Sequence, residues 1–238
     1  MNSTQNPGRV AGLWYLLLTI LGPIRLMYIP NKLFVPENAT ATANNISAHE
    51  LLFRLGIVSD LTCAVVLILL VLAFYRLFKR VDQNLAVLVV ILGGVMPSLL
   101  YFVNVTNDAG ALMAVRGGDF LAVFDKPQRD ALAMMFLRLF DRTNTGAEIL
   151  WGLWLFPLAL LVWKSRFLPR FLGVWLIING FAYVIGSLTG WLLPQYQEKL
   201  FTYSLPALLG EVALMLWLVI RGAKPPAIEA TALSPAAS

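Results

Sequence analysis

Histidine and cysteine are almost missing from this chain of 238 residues: His49 and Cys63 stand alone. One cysteine excludes an intramolecular disulfide and a cysteine-based metal site, and one histidine excludes a histidine-rich zinc centre or a bis-histidine haem. Charge is scarce too, at 13% of residues. No lysine lies inside a long apolar run, which removes a retinal-type Schiff base, and the paired-aspartate motifs of intramembrane aspartyl proteases are absent. Gly186-Ser187-Leu188-Thr189-Gly190 has the outline of a serine nucleophile motif, but no histidine follows residue 49 to serve it. It reads as a small-residue packing face. The reading therefore assigns no metal, no cofactor and no catalytic residue, and an enzyme is the weakest class because no nucleophile and base can be paired.

What is present is apolar length. Hydrophobic residues make up 59% of the chain, far above a soluble domain, and the pattern specifies an all-α, polytopic membrane helical bundle. Six runs reach bilayer length, at about 10–29, 51–78, 85–103, 146–162, 171–193 and 201–220, given about 20 residues per crossing. They form one domain over 1–224, followed by a disordered Pro/Ala/Ser tail over 225–238. The first run is taken as a span rather than a cleaved signal peptide, because Arg25, Pro30, Lys32 and Glu37 separate it from the small residues Ala41-Thr42-Ala43. The sequence places a polar loop at 30–47, and a Ser47-x-x-Glu50 capping box opens the second span. A second box, Thr145-x-x-Glu148, opens the fourth. The long connection between spans three and four carries two amphipathic stretches, Ala111–Phe124 and Gln128–Phe140, suited to lying at the interface. Asp125 with Pro127 marks a helix start inside it.

The formal net charge of +5 has no aromatic-interleaved basic patch behind it, so no nucleic acid partner is expected. The basic residues instead punctuate the spans. Arg9, Arg76, Lys79, Arg80, Lys164, Arg166, Arg170, Arg221 and Lys224 fall on one side, against Lys32 and Lys199 in the short loops opposite. By the positive-inside rule both termini are cytoplasmic. The lipid bilayer is the partner this implies.

The basic ends also serve as rulers. Arg9 to Arg25, Arg76 to Asp60 and Lys164 to Glu148 each span sixteen residues, about 24 Å of helix rise. Arg25, Asp60 and Glu148 then share a layer toward the other side, with Arg54 one to two turns beyond it. The same ruler puts Asn179 and Glu211 near the midplane. Ionisable groups in membrane spans are kept for a partner or a function. Arg25, Arg54, Asp60, Glu148, Asn179 and Glu211 are accordingly the candidate ligand-binding residues. Two readings stand. In one, Asp60 and Glu211, with Arg25 and Arg54 as counter-charges, line an outward-facing polar cavity that binds or transports a small polar solute, ion or lipid headgroup. In the other, the protein is a non-catalytic structural or stress-response membrane component whose buried charges only fix helix packing. Glu148 has the further alternative of being simply the last member of its capping box, and Arg138, Asp141, Thr145 and Glu148 that of a solvated face interrupted by the cap.

An ordered set of segments resembles the bacterial multi-pass membrane proteins grouped as domain-of-unknown-function family 4386. It comprises Arg9 to Leu18, Leu52-Phe53-Arg54-Leu55-Gly56 with Asp60, Glu148 with Trp151 to Pro157, Phe167-Leu168-Pro169-Arg170 with Leu172-Gly173, and Pro206 with Gly210-Glu211. The resemblance implies a bacterial inner (plasma) membrane location. It brings no reaction, ligand or residue role.

Overall fold

The computed structural model describes residues 6–224, and within them the chain is helical without strands. The tail expected to be disordered, 225–238, lies outside the described residues. Six helices are long and apolar enough to cross a membrane: α1 Pro7–Leu33, α3 Glu50–Phe78, α4 Gln83–Arg116, α5 Lys126–Ser165, α6 Arg170–Leu192 and α7 Pro194–Ile220. A shorter helix, α2 Ala39–Ala48, lies between the first two spans.

Each span packs against the spans before and after it, and α7 closes back on α1. The result is an up-and-down ring. All nine basic residues that the sequence placed together fall at one end, where α1, α4 and α6 begin and α3, α5 and α7 finish.

The polar loop expected at 30–47 is in part a helix, and this corrects the first capping box. Asn38, not Ser47, caps it, its Oδ1 accepting from the Ala41 N–H at 2.9 Å. Ser47 lies inside α2, and His49 begins α3 with no side-chain cap. The packing of α2 on α4 and α5 outweighs the local motif.

The connection between spans three and four is corrected as well. The expected amphipathic stretches are not separate helices: residues 111–116 complete α4 and 128–140 belong to α5, and the two helices form a long hairpin. Gly117, in the left-handed region at φ 69°, ends α4, a conformation for which glycine carries no steric cost. The helix start expected at Asp125 is there: its carboxylate accepts from the Gln128 N–H, the Gln128 side chain accepts from the Asp125 N–H, and Pro127 lies in the first turn. From Lys126 the helix runs without a break to Leu153, so Thr145 caps nothing. Its hydroxyl donates instead to the Asp141 carbonyl.

Two turns are widened to i→i+5 bonds, Ile24–Tyr28 in α1 and Ile91–Val95 in α4. Each ends two residues before a proline, Pro30 or Pro97. A proline has no N–H to give the ordinary i→i−4 bond and its ring crowds that carbonyl, so the backbone opens locally.

The interior divides into halves. Toward the basic end Leu70, Phe74, Phe78, Leu155, Leu158, Leu172, Leu176, Leu214 and Leu218 form a continuous apolar core. A smaller cluster of Ile29, Leu33, Ile46, Phe53, Ala111 and Leu137 sits beneath α2 at the opposite end. α1 and α7 meet closely at the basic end, where a Cβ added to Gly12 would lie 2.7 Å from the Val219 nitrogen. No such approach is seen at Gly22, where an added Cβ meets nothing within 4 Å.

Candidate functional site

A cavity of about 950 Å³ occupies the half of the ring left open by the apolar core. α1 and α7 wall it through Tyr15, Leu18, Gly22 and Leu26 on one side and Phe201, Ser204, Leu208 and Glu211 on the other. α5 contributes Arg138, Asp141, Thr145, Glu148, Trp151 and Trp154, and α6 contributes Tyr183 and Gly186. Spacings of three and four residues put the α5 group on one helical face. That face is continuous past Thr145 and Glu148 because the helix is unbroken from Lys126 to Leu153, so the alternatives of a capping role for Glu148 and of a cap-interrupted face are both corrected.

At the floor, Glu211 accepts a hydrogen bond from the Tyr15 hydroxyl and one from Asn179 Nδ2 at 3.3 Å. Asn179 is fully buried and stands behind Glu211 rather than on the cavity wall. The ruler that put these two near the midplane finds them in contact. Tyr183 lines the same floor, its ring 6.0 Å from that of Trp151, and the Tyr15 and Trp154 rings are 6.1 Å apart. One to two turns outward, Glu148 faces Gly186, where a Cβ would lie 3.0 Å from Oε2. Among the described residues, neither Glu148 nor Glu211 has a basic side chain within ion-pair distance. The mouth is different. Arg138 pairs with Glu37 at 2.7 Å, and Arg142 donates to the Gly190 carbonyl and stands over the Trp191 ring.

Arg25 and Asp60 meet, as their equal spacing from the basic end implied, but away from the cavity. Arg25 Nε lies 2.8 Å from Asp60 Oδ2, and its Nη2 donates to Asp108. The guanidinium carbon stands 4.0 Å from the Phe140 ring centre. All three charged side chains are at most 2% exposed. As one acid among several in the long connection between spans three and four, Asp108 carries no functional signal in the sequence. Glu148 stands on the cavity wall and makes no ion pair with this cluster. Arg54 is corrected too: it is about half exposed and bonds Glu50 at 2.7 Å on its own helix, so it supplies no counter-charge to the cavity. Tyr15 and Tyr183 were also missed. A tyrosine in an apolar run carries no signal of its own, and only the acid it faces gives it meaning.

A ring of six membrane-length helices, apolar-filled at one end and hollow at the other, defines a multi-pass membrane protein with an internal cavity. The profile of the family described as domain of unknown function (DUF4386) matches residues 10–222, and the chain belongs to that family. No curated protein and no solved structure matches it.

Proposed function

We propose that this protein binds a small polar solute, ion or lipid headgroup in its cavity and passes it across the membrane. The observation that carries this reading is the pair Glu148 and Glu211, two carboxylates on the cavity wall without a basic partner among the described residues. A closed structural pair has no reason to face open volume, whereas a binding site needs charge left unanswered until the ligand arrives. Midplane sites flanked by a sealed half and an open half are the arrangement alternating access requires.

The basic end is cytoplasmic by the distribution of Lys and Arg, so both termini face the cytoplasm and the cavity faces outward, across a bacterial inner membrane. Glu211 and Glu148 contact the solute, and Asn179 holds Glu211 in place. Arg25, Asp60 and Asp108 fix the packing of α1, α3 and α4, which is the role the structural reading gave to all the buried charges.

The nearly cysteine-free sequence makes the test direct. In a Cys63→Ala background, Ser204→Cys in full-length protein should react with a membrane-impermeant maleimide added outside intact cells, and Arg166→Cys only after the membrane is opened. Absence of outside labelling at position 204 would remove the outward-facing cavity.

A further inference from the structure

The cavity is not only a well open at one end. Leu26, Met27 and Phe201 line it and are 41%, 55% and 53% exposed. Wall residues this open stand at an edge of the cavity, and these come from α1 and α7. At the basic end these helices are clamped by the close approach at Gly12 and by the Gly8 N–H donating to the Ala223 carbonyl at 3.0 Å. Beyond the bond between Tyr15 and Glu211, both helices line the cavity on opposite sides, and the empty space at Gly22 lies in the gap. The lining that α1 and α7 give this slot is mostly apolar, with Leu18, Leu26, Met27, Phe201 and Leu208, and also carries Thr19, Ser204, Gln197 and Glu198. A polar solute coming from water has no use for such a passage, whereas an alkyl chain does.

The inner end of the slot has the opposite character. Glu211 sits at its base, Glu148 lies about two turns along the wall, and the Trp151, Trp154, Tyr15 and Tyr183 rings stand around them. Carboxylates combined with aromatic faces suit a positive, weakly hydrated group such as a substituted ammonium. An anionic or phosphate headgroup would meet four carboxylates in the cavity lining, Asp141, Glu148, Glu198 and Glu211, against two guanidiniums, Arg138 and Arg142, of which Arg138 is already paired with Glu37.

Resting on the proposed binding function, we infer that the ligand is an amphiphilic cation: its ammonium seats between Glu211, Glu148 and the aromatic rings, and its apolar chain lies in the slot between α1 and α7, by which it enters from the bilayer. The two halves of the ligand are thus read by different parts of one cavity. The chain is held by burial and the head by charge.

The test uses full-length protein in lipid nanodiscs and follows tryptophan fluorescence against three probes: decyltrimethylammonium, tetramethylammonium and decyl sulfate. Decyltrimethylammonium should bind at least about tenfold more tightly than either of the others, a factor equivalent to about 1.4 kcal/mol. Glu211→Gln keeps an acceptor for Tyr15 and should lower that affinity about tenfold or more, an effect of the size expected for a charge-assisted contact. Gly22→Leu adds bulk at a position where a Cβ meets nothing within 4 Å and should erase the advantage of the decyl chain while leaving tetramethylammonium unchanged. Equal affinity for decyl sulfate, or an unaltered response in Glu211→Gln, would overturn the cationic assignment while leaving the cavity as a binding site. Tetramethylammonium binding as well as the long-chain probe would overturn lateral entry. Failure of every probe in a folded protein, together with no labelling at position 204, would remove both this inference and the function on which it rests.

Discussion

Arg25 with its two aspartates and Glu211 with its two neighbouring tyrosines lie in the same helical ring, and each is built on carboxylates drawn from apolar spans. They differ in what answers the charge. The first cluster closes on itself: the guanidinium reaches Asp60 and Asp108, rests on Phe140, and leaves no side chain on the cavity wall. At Glu211 the partners are a hydroxyl and an amide, neutral groups that solvate the acid without cancelling it. An acid in a membrane helix is therefore not yet a functional sign. It becomes one when the structure leaves its charge uncompensated and gives it space.

Substitutions can break this contrast, and the largest effect belongs to the closed cluster. Arg25→Met strands two buried carboxylates and should lower stability by about 3–5 kcal/mol, seen as loss of folded protein or a much reduced melting temperature in detergent. Replacing Arg25, Asp60 and Asp108 together by apolar residues of similar volume should recover most of that loss, because the entire desolvation penalty goes with them. Glu211→Gln should change the melting temperature far less, by the equivalent of about 1 kcal/mol, since the amide retains partners in Tyr15 and Asn179. If it unfolded the protein as readily as Arg25→Met, the two clusters would be alike and the binding role would lose its support. Arg54→Ala sharpens the comparison from outside: its pair with Glu50 is substantially exposed, and the loss should stay below about 1 kcal/mol.

The smallest effect is a pH dependence in the connection between α3 and α4. Asp82 bonds Lys164 at 2.8 Å and caps α4 through the Leu85 N–H. The Lys164 ammonium first, and the Leu85 N–H second, hold its carboxyl below the usual range. A depressed acid contributes stability that is complete above its unfolded value, about 3.9, and is lost as pH falls through the lower folded value. Melting curves from pH 6 downward should show a slightly shallower decline in Asp82→Asn, whose amide still caps the helix but cannot pair as an anion.

Much of the architecture was legible because it rests on two strong signals, apolar length and basic ends. Those gave the spans, their alternation and the near-contact of Arg25 with Asp60 and of Asn179 with Glu211. Local capping motifs misled at Ser47 and Thr145, because a box of four residues cannot report whether distant packing carries a helix through it. The same blindness hid Asp108: the extension of α4 past residue 103 depends on its pairing with α5, and without that extension the residue looks exposed. A polar cavity was an expectation of the sequence, but its lining was not legible: Asp60 pairs with Arg25 away from it, and Glu148 and Glu211 stand on its wall. All six spans contribute to its wall, and no pattern within one helix records how the others stand around it.

The ring order also bears on how the protein is made. Each span leaves the ribosome with its neighbour in the ring coming next, so insertion can proceed as successive helical hairpins. Arg25 is the most hazardous residue in that process, being a cation in the first span. Its first carboxylate, Asp60, arrives with the very next span and its second, Asp108, with the one after. The buried cluster thus doubles as a timetable, in which a charge unwelcome in lipid is met by its counter-charge within a single hairpin and secured before α5, α6 and α7, which complete the walls of the cavity, have been synthesised.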